Sequence, residues 1–338
     1  MRKMLFISLL FCSLVINSEI LFPGIIGEDL IDSIIANYKS YSNLGYDDGR
    51  DVLYGTIDND NDYLTGVYSG YTIYLDPSAD PSSDAYNKGI NCEHTWPQSL
   101  GASGLAKGDL HHLYPTREEA NSARGSLPFD EIDDNYTDKW FYDDQESTSK
   151  PTSNIDLWSE VDYNYSFEPR EDHKGNTARS MYYFYTMYRG NYLAEDSDES
   201  WWNQQKDVLF DWHYQDLVDS REIDRTNAIG SYQEGKPNPF VIDTTLIRRA
   251  YYPHLGIEGI HTTQSSIEIA YSSEGVVIHS ESESFTAEIY TIDGSSVMQF
   301  TGESGVLVNA HHFPASGKYI LIVRQDQTAI SRIITILR

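Results

Sequence analysis

Cysteine is nearly absent from this 338-residue chain. Cys12 and Cys92 are the only two, which excludes a disulfide framework and any cysteine-rich zinc module. Basic residues are also scarce: 24 Lys and Arg stand against 52 Asp and Glu, a formal net charge of −28. Attraction to a polyanion through bulk charge is therefore excluded, and any binding of nucleic acid calls for a local basic patch or a bridging cation. Long apolar runs are missing beyond the N-terminus. The run that does occur follows Met1-Arg2-Lys3 and ends near Ile16. It is too short for a comfortable membrane span and reads as a secretory signal peptide, residues 1–18, cut between Asn17 and Glu19. Phe11 before Cys12 argues against a lipoprotein anchor. The expectation is a secreted protein, extracellular or on the outer cell surface, with no stable membrane insertion and with Cys92 as a free, packed thiol.

Aromatic residues, by contrast, are plentiful at 13%, with 26 Tyr, and hydrophobic residues reach 40%. These values exclude a disordered chain, and the length suggests about two domains. Residues 19–258 are rich in Tyr, Trp, Asp and Asn, with helical stretches among long loops. Ser33 to Ser40 reads as the end of an N-terminal helix. Ala178, Met181, Tyr182, Tyr185 and Tyr188 recur at helical spacing and predict a buried scaffold helix over 176–189. Asp58 to Asp62 lacks the turn Gly and closing Glu of a calcium loop. Asp130 to Ser153 is polar and turn-rich and reads as a surface insertion. From 259 to 338 the chain changes to short, alternating, β-branched segments separated by turns such as Asp293-Gly294, predicting about seven strands in a small β-sandwich.

Chemistry concentrates between Gly89 and Asp130, where three of the ten histidines fall. Asn91–Trp96 and Leu110–Tyr114 read as extended pieces halted by Pro97 and Pro115. Thr116 and Glu119 then read as a capping box for a helix over Arg117–Arg124, ending at Gly125. Such a scaffold suits one divalent metal and one base. His94 can accept a proton from water near neutral pH. Glu93 and Asn121 offer hard oxygens, which suit magnesium with open positions, and calcium or manganese as substitutes. Adjacent strand residues face opposite ways, so Glu93 and His94 share a site only at a strand end or distortion. Of the neighbouring His111 and His112, one is expected to face the site and one the core, with Asp109 orienting a histidine. Cys92, His94, His111 and His112 lack the spacing of a zinc site. The remaining His173, His213, His254, His261 and His279 read as structural, and His311-His312 as surface loop.

These residues resemble the endonuclease I family of secreted bacterial nucleases, a branch of the His-Me finger or ββα-metal nucleases. The resemblance rests on Asn91-Cys92-Glu93-His94-Thr95-Trp96-Pro97-Gln98-Ser99, on Asp109-Leu110-His111-His112-Leu113-Tyr114-Pro115-Thr116 and on Asn121-Ser122-Ala123-Arg124-Gly125. It continues through Ala178-Arg179, Trp212-His213 and Asn238-Pro239-Phe240. It implies an α+β fold, a ββα-metal core with additional helices before the all-β sandwich. It further implies a magnesium-dependent, weakly sequence-specific endonuclease acting on DNA, with RNA also permitted, and leaving 5′-phosphates. His94 would be the general base, with His111 beside it in the site, His112 and Asp109 behind it, and Glu93 and Asn121 holding one metal. Some members carry a phosphate-stabilising arginine between the two strands, which this chain lacks; Arg124, Lys107 and Arg179 are its candidate replacements. The C-terminal segment resembles sorting domains of the type IX secretion pathway, through Ala287 to Gly294 and Pro314 to Tyr319. It implies secretion machinery as a partner of an otherwise monomeric protein. A non-catalytic surface or glycan-binding protein and a zinc-dependent hydrolase are the alternatives.

Overall fold

The computed structural model describes residues 20–192, 196–253, 267–272, 275–280, 284–291, 295–303, 305–315, 317–325 and 328–336. The expected signal segment 1–18, the boundary at 258/259, His254, His261 and the Asp293-Gly294 turn lie outside them. Two compact units emerge, meeting in sequence at Tyr251 and Tyr252. Both helix and antiparallel sheet are present, as an α+β protein requires. Among the described residues no helix is long and apolar enough to cross a membrane.

The first unit begins with α1 (Gly27–Tyr38), which buries Leu30, Ile31 and Ile34 along one stripe. A short α2 (Tyr46–Val52) follows. A three-stranded antiparallel meander, β1 (Asn59–Asp60), β2 (Tyr63–Thr65) and β3 (Thr72–Tyr74), then leads to α3 (Pro81–Asn87). Asp80 caps α3 through a 2.8 Å bond from the Ser83 N–H, with Pro81 in the first turn, as helix starts favour. Next come β4 (Ile90–His94), β5 (Leu113–Arg117) and α4 (Glu118–Arg124). A four-stranded antiparallel sheet follows in the order β7-β6-β8-β9, from β6 (Lys139–Tyr142), β7 (Gln145–Ser147), β8 (Ser159–Asp162) and β9 (Ser166–Glu168). The unit closes with α5 (Lys174–Tyr192), α6 (Asp196–Gln215), α7 (Ser220–Tyr232), α8 (Pro239–Ile242) and α9 (Leu246–Tyr251).

Several expectations change in detail. Leu110–His112 is a tight 3₁₀ turn, not extended chain, and β5 starts after it and runs through Pro115 to Arg117. A two-stranded ladder has only edges, so a residue without an N–H is tolerated where that N–H would point outward. Because the strand continues through Thr116, the expected capping box does not form. Arg117 precedes α4 without a side-chain cap, and Thr116 Oγ1 is buried without a hydrogen bond among the described residues. The 130–153 segment is no mere surface insertion either, for Trp140 and Phe141 of β6 are wholly buried. By contrast, α5 is the scaffold helix its spacing predicts, with Ala178, Met181 and Tyr182 at 0% exposure.

Two features of the packing position the β4–β5–α4 segment. A core of Leu53, Tyr54, Leu64, Ile73, Ile90, Cys92, Leu113 and Ile229 supports one face of β4. Beyond the strand end, Trp96 stacks on Phe184 of α5 with ring centroids 5.0 Å apart and planes 15° from parallel. It also meets Trp201 of α6 edge-on at 5.0 Å. Aromatic pairs in this geometry add to the burial energy of the rings, so the chain after His94 is pinned to the helical layer.

Among the described residues the second unit holds seven strands. β10 (Ile267–Ser272), β11 (Gly275–Ser280) and β14 (Val306–Asn309) form one antiparallel sheet in the order β10-β11-β14. β12 (Phe285–Thr291), β13 (Ser296–Gly302), β15 (Gly317–Gln325) and β16 (Thr328–Ile336) form the other, in the order β13-β12-β15-β16. Its core gathers the inward residues of both sheets, among them Val276, Ile278, Ala287, Ile289, Leu321 and Val323. This is the alternation expected of two facing sheets.

Candidate active site

The strand β4 sorts its side chains by the two-residue period of a strand. Asn91 and Glu93 project toward α4, where Asn121 and Arg124 stand one turn apart. Asn121 Nδ2 donates to Asn91 Oδ1 at 2.5 Å, and Arg124 Nη1 lies 3.3 Å from Glu93 Oε1. The Tyr68 hydroxyl donates to the same Glu93 oxygen at 2.8 Å. Glu93 is 2% exposed, and burial pushes its carboxyl above the usual range against the pull of Arg124. Asn121 Oδ1 takes no hydrogen bond among the described residues, so one carboxylate and one neutral amide oxygen face the same strand–helix junction. That donor set fits a hard divalent cation. No group of three or more His, Cys, Asp or Glu suited to a metal occurs among the described residues.

Cys92 and His94 project from the other face, toward α2. The His94 ring lies 5.1 Å from the Tyr46 ring and 5.4 Å from that of His112. His94 Nε2 is 3.1 Å from the Lys107 carbonyl oxygen. A carbonyl only accepts, so Nε2 carries the proton and Nδ1 keeps the lone pair. The Gln98 amide donates to that Nδ1 at 3.3 Å. Burial first, and the neighbouring His112 second, push the His94 imidazole down to about 3, so the ring is neutral at neutral pH. His94 is the last residue of β4. Adjacent strand residues thus face opposite ways, as a regular strand requires: Glu93 and Asn121 lie on the α4 side, and the His94 ring lies on the α2 side.

Arg124 does not face solvent, contrary to its candidacy as the phosphate-stabilising cation. It is wholly buried, and it donates to the carbonyls of His94 at 3.2 Å, Thr95 at 2.6 Å and Gly125 at 3.2 Å. Its geometry is that of a clamp on the strand end carrying Glu93 and His94. Arg179 is likewise closed off at 1% exposure. Its guanidinium is bidentate to Glu222 at 2.6 and 2.7 Å and donates to the Asp216 carbonyl at 2.9 Å, so it cannot meet an incoming phosphate. Lys107 remains available: its ammonium stands 4.7 Å from the Tyr46 ring centroid.

The two histidines exchange their expected places. His112 packs against His94, with its Nε2 2.9 Å from the Ala106 carbonyl. His111 turns instead to Tyr183, at 4.8 Å between centroids, and bonds the Lys236 carbonyl at 2.9 Å. Consecutive residues of one 3₁₀ turn diverge, and His112 is the one whose direction matches His94. Asp109 holds that turn through its backbone, accepting from the His111 N–H at 3.1 Å, and also from Gln233, Tyr183 and Tyr188. Burial raises the Asp109 carboxyl, but His111 and His112 with these donors hold it below the usual carboxylate range. Cys92 is a buried free thiol, pushed up to about 12 by burial. His173 and His213 are buried structural residues, as expected.

Four contacts were not visible in the motif: Tyr46, Arg50, Tyr68 and Gln98. Arg50, one turn after Tyr46, lies with its guanidinium 4.9 Å from the Tyr46 ring and 3.5 Å from the Asp47 carboxylate. Gln98 stands within the motif, but only the turn after Pro97 brings its amide back to the imidazole. The loop that carries Lys107 is seated on the start of α2 by Gly108. A Cβ there would come 2.7 Å from the Gly45 carbonyl carbon, so only glycine permits the approach.

The sequence model of the Endonuclease I family matches residues 29–245. An extracellular ribonuclease of Bacillus subtilis (strain 168) is 30% identical over 184 residues, covering 50% of this chain and 57% of the relative. An extracellular ribonuclease of Bacillus amyloliquefaciens is 31% identical over 164 residues, covering 45% and 50%. The chain spans about half the length of these relatives.

Proposed function

This chain belongs to the endonuclease I family, and from that premise we propose that it is a secreted, magnesium-dependent endonuclease that hydrolyses phosphodiester bonds of DNA and RNA with little sequence preference. The observation that carries the reading is the His94 imidazole. It is fixed as one tautomer by the Lys107 carbonyl, with its unprotonated Nδ1 at the end of the strand that also bears Glu93. The antiparallel β4–β5 pair followed by α4 supports a ββα-metal core.

Glu93 and Asn121 would hold the magnesium ion, which when bound supplies positive charge to the reacting phosphate. His94 Nδ1 takes the proton from an attacking water, and the Gln98 amide, now donating to that nitrogen, is placed to orient the water instead. Lys107, whose backbone carbonyl holds the His94 ring and whose ammonium stands over Tyr46, offsets phosphate charge there, which a chain of net charge −28 needs locally. An anionic phosphate beside the ring in turn stabilises the imidazolium that forms when Nδ1 is protonated. The water oxygen bonds to phosphorus as the P–O3′ bond breaks and the departing 3′ oxygen takes up a proton, so a ribose 2′-OH is not required and the products carry a 5′-phosphate and a 3′-hydroxyl.

The extracellular relatives support a secreted protein. The second unit is assigned, on its sequence resemblance, to recognition by secretion machinery. Plasmid DNA and structured RNA incubated with the purified chain should be cut internally with magnesium and left intact in EDTA. Intact substrates under both conditions would refute the assignment.

A further inference from the structure

Most cations of the first unit are already matched to carboxylates, as Arg124 is to Glu93, Arg179 to Glu222 and Arg225 to Asp58. Lys39 and Lys236 are different. Among the described residues neither forms an ion pair, and both ammonium groups stand over the same ring, that of Tyr41, at 5.9 and 5.7 Å. Lys236 Nζ is anchored by donating to the Lys39 carbonyl at 2.7 Å, and Lys39 also lies 5.3 Å from the Tyr188 ring. Tyr41 itself is 67% exposed. One carboxylate belongs to the patch: Glu234 accepts from the Tyr41 N–H at 2.7 Å and the Ser40 hydroxyl at 3.2 Å, and the Tyr41 bond first, with the charge of Lys236 among the lesser causes, holds it below the usual range, leaving the patch with an excess of one positive charge. Two like charges gathered over one exposed aromatic ring repel each other at rest and attract an anion that brings a planar group with it.

The patch is tied to the candidate active site by covalent and hydrogen-bonded connections. The Lys236 carbonyl accepts from His111, neighbour of the His112 that packs on His94. Asn43 Nδ2 donates to the Leu105 carbonyl at 2.9 Å, in the loop that carries Lys107. Tyr41 precedes Tyr46 by five residues, which limits their Cα separation to about 18 Å. At the 3.4 Å spacing of a stacked strand that limit is about five nucleotides at most.

Resting on the nuclease reading, we propose that Lys39, Tyr41 and Lys236 form a second subsite that holds a single-stranded polynucleotide several nucleotides from the bond cut at His94. The two ammonium groups take phosphates, and the phenol ring stacks an unpaired base. A duplex keeps its bases stacked on one another and has none to offer the ring, so the subsite selects single strands without reading sequence.

The test is fluorescence anisotropy of the full chain with a fluorescein-labelled oligothymidylate of about twelve nucleotides, in EDTA so that nothing is cut. Tyr41→Ala should weaken binding about tenfold, the loss of one stacked base, while Tyr41→Phe retains it. The double variant Lys39→Gln/Lys236→Gln should lower the slope of log K against log salt by about 1.4, the loss of two single-strand phosphate contacts. Tyr136→Ala, at another exposed tyrosine (70%), should bind as wild type. Wild-type affinity and slope in both patch variants, or no binding by the wild-type chain, would overturn the subsite. Tyr41-dependent binding by a chain that cuts nothing in magnesium would uphold the subsite and refute the nuclease reading alone.

Discussion

Arg124 shows how far a residue's part can differ from its type. An arginine in a nuclease motif invites assignment to phosphate, yet this one spends its donors on the His94, Thr95 and Gly125 carbonyls and its charge on Glu93. Removing one partner of a buried pair leaves the other charge uncompensated, so Arg124→Ala should destabilise the first unit by about 3–5 kcal/mol. Urea denaturation would measure it, and a midpoint equal to wild type would dismiss the clamp. Glu93, His94 and Asn121 were legible because each sits in a local motif whose residue types fit one chemistry. Tyr46, Arg50 and Tyr68 were not, because each reaches the site from more than twenty residues away in sequence and no local pattern marks it.

At the scale of elements, the β4–β5–α4 order was legible from prolines and polarity, but the hidden continuation of β5 through Pro115 was not. Proline halts a strand only where its N–H is needed, and the register that decides this is not written in the local sequence. The sheet β6–β9 carries a stronger surprise. Glu160 and Glu168 lie opposite each other on β8 and β9, both nearly buried. Burial drives Glu160 from an ordinary 4.5 up to about 8, and Glu168 to about 7 even though Lys174 lies 2.7 Å from it. Glu131, Asp134, Glu171 and Lys174 surround the pair, and Thr137 donates to Glu160. Between pH 4.5 and about 8 the folded state therefore holds protons at Glu160 that the unfolded chain releases. Its contribution is complete below pH 4.5 and is lost as pH rises through 8. Glu160→Gln should raise Tm relative to wild type progressively from pH 5 to pH 9. A difference independent of pH would show that Glu160 titrates normally.

For the whole molecule, the division into an aromatic, acidic first unit and a β-branched second unit follows from composition and periodicity, because each unit builds its core from a different repeat. Charge distribution was harder to read. The count of −28 says nothing of where cations escape pairing, and in the first unit such cations gather over Tyr41 and Tyr46. An acidic nuclease is consistent if these patches and a bound cation, not net charge, meet the phosphates. The central claim is that His94 Nδ1 takes the proton from the attacking water. It is tested most directly by the single-turnover cleavage rate of His94→Ala against wild type on one labelled oligonucleotide in magnesium. Loss of general-base catalysis predicts a rate lower by about 10²–10⁴-fold with binding in EDTA unchanged. A rate within a few-fold of wild type would contradict it and place the base elsewhere.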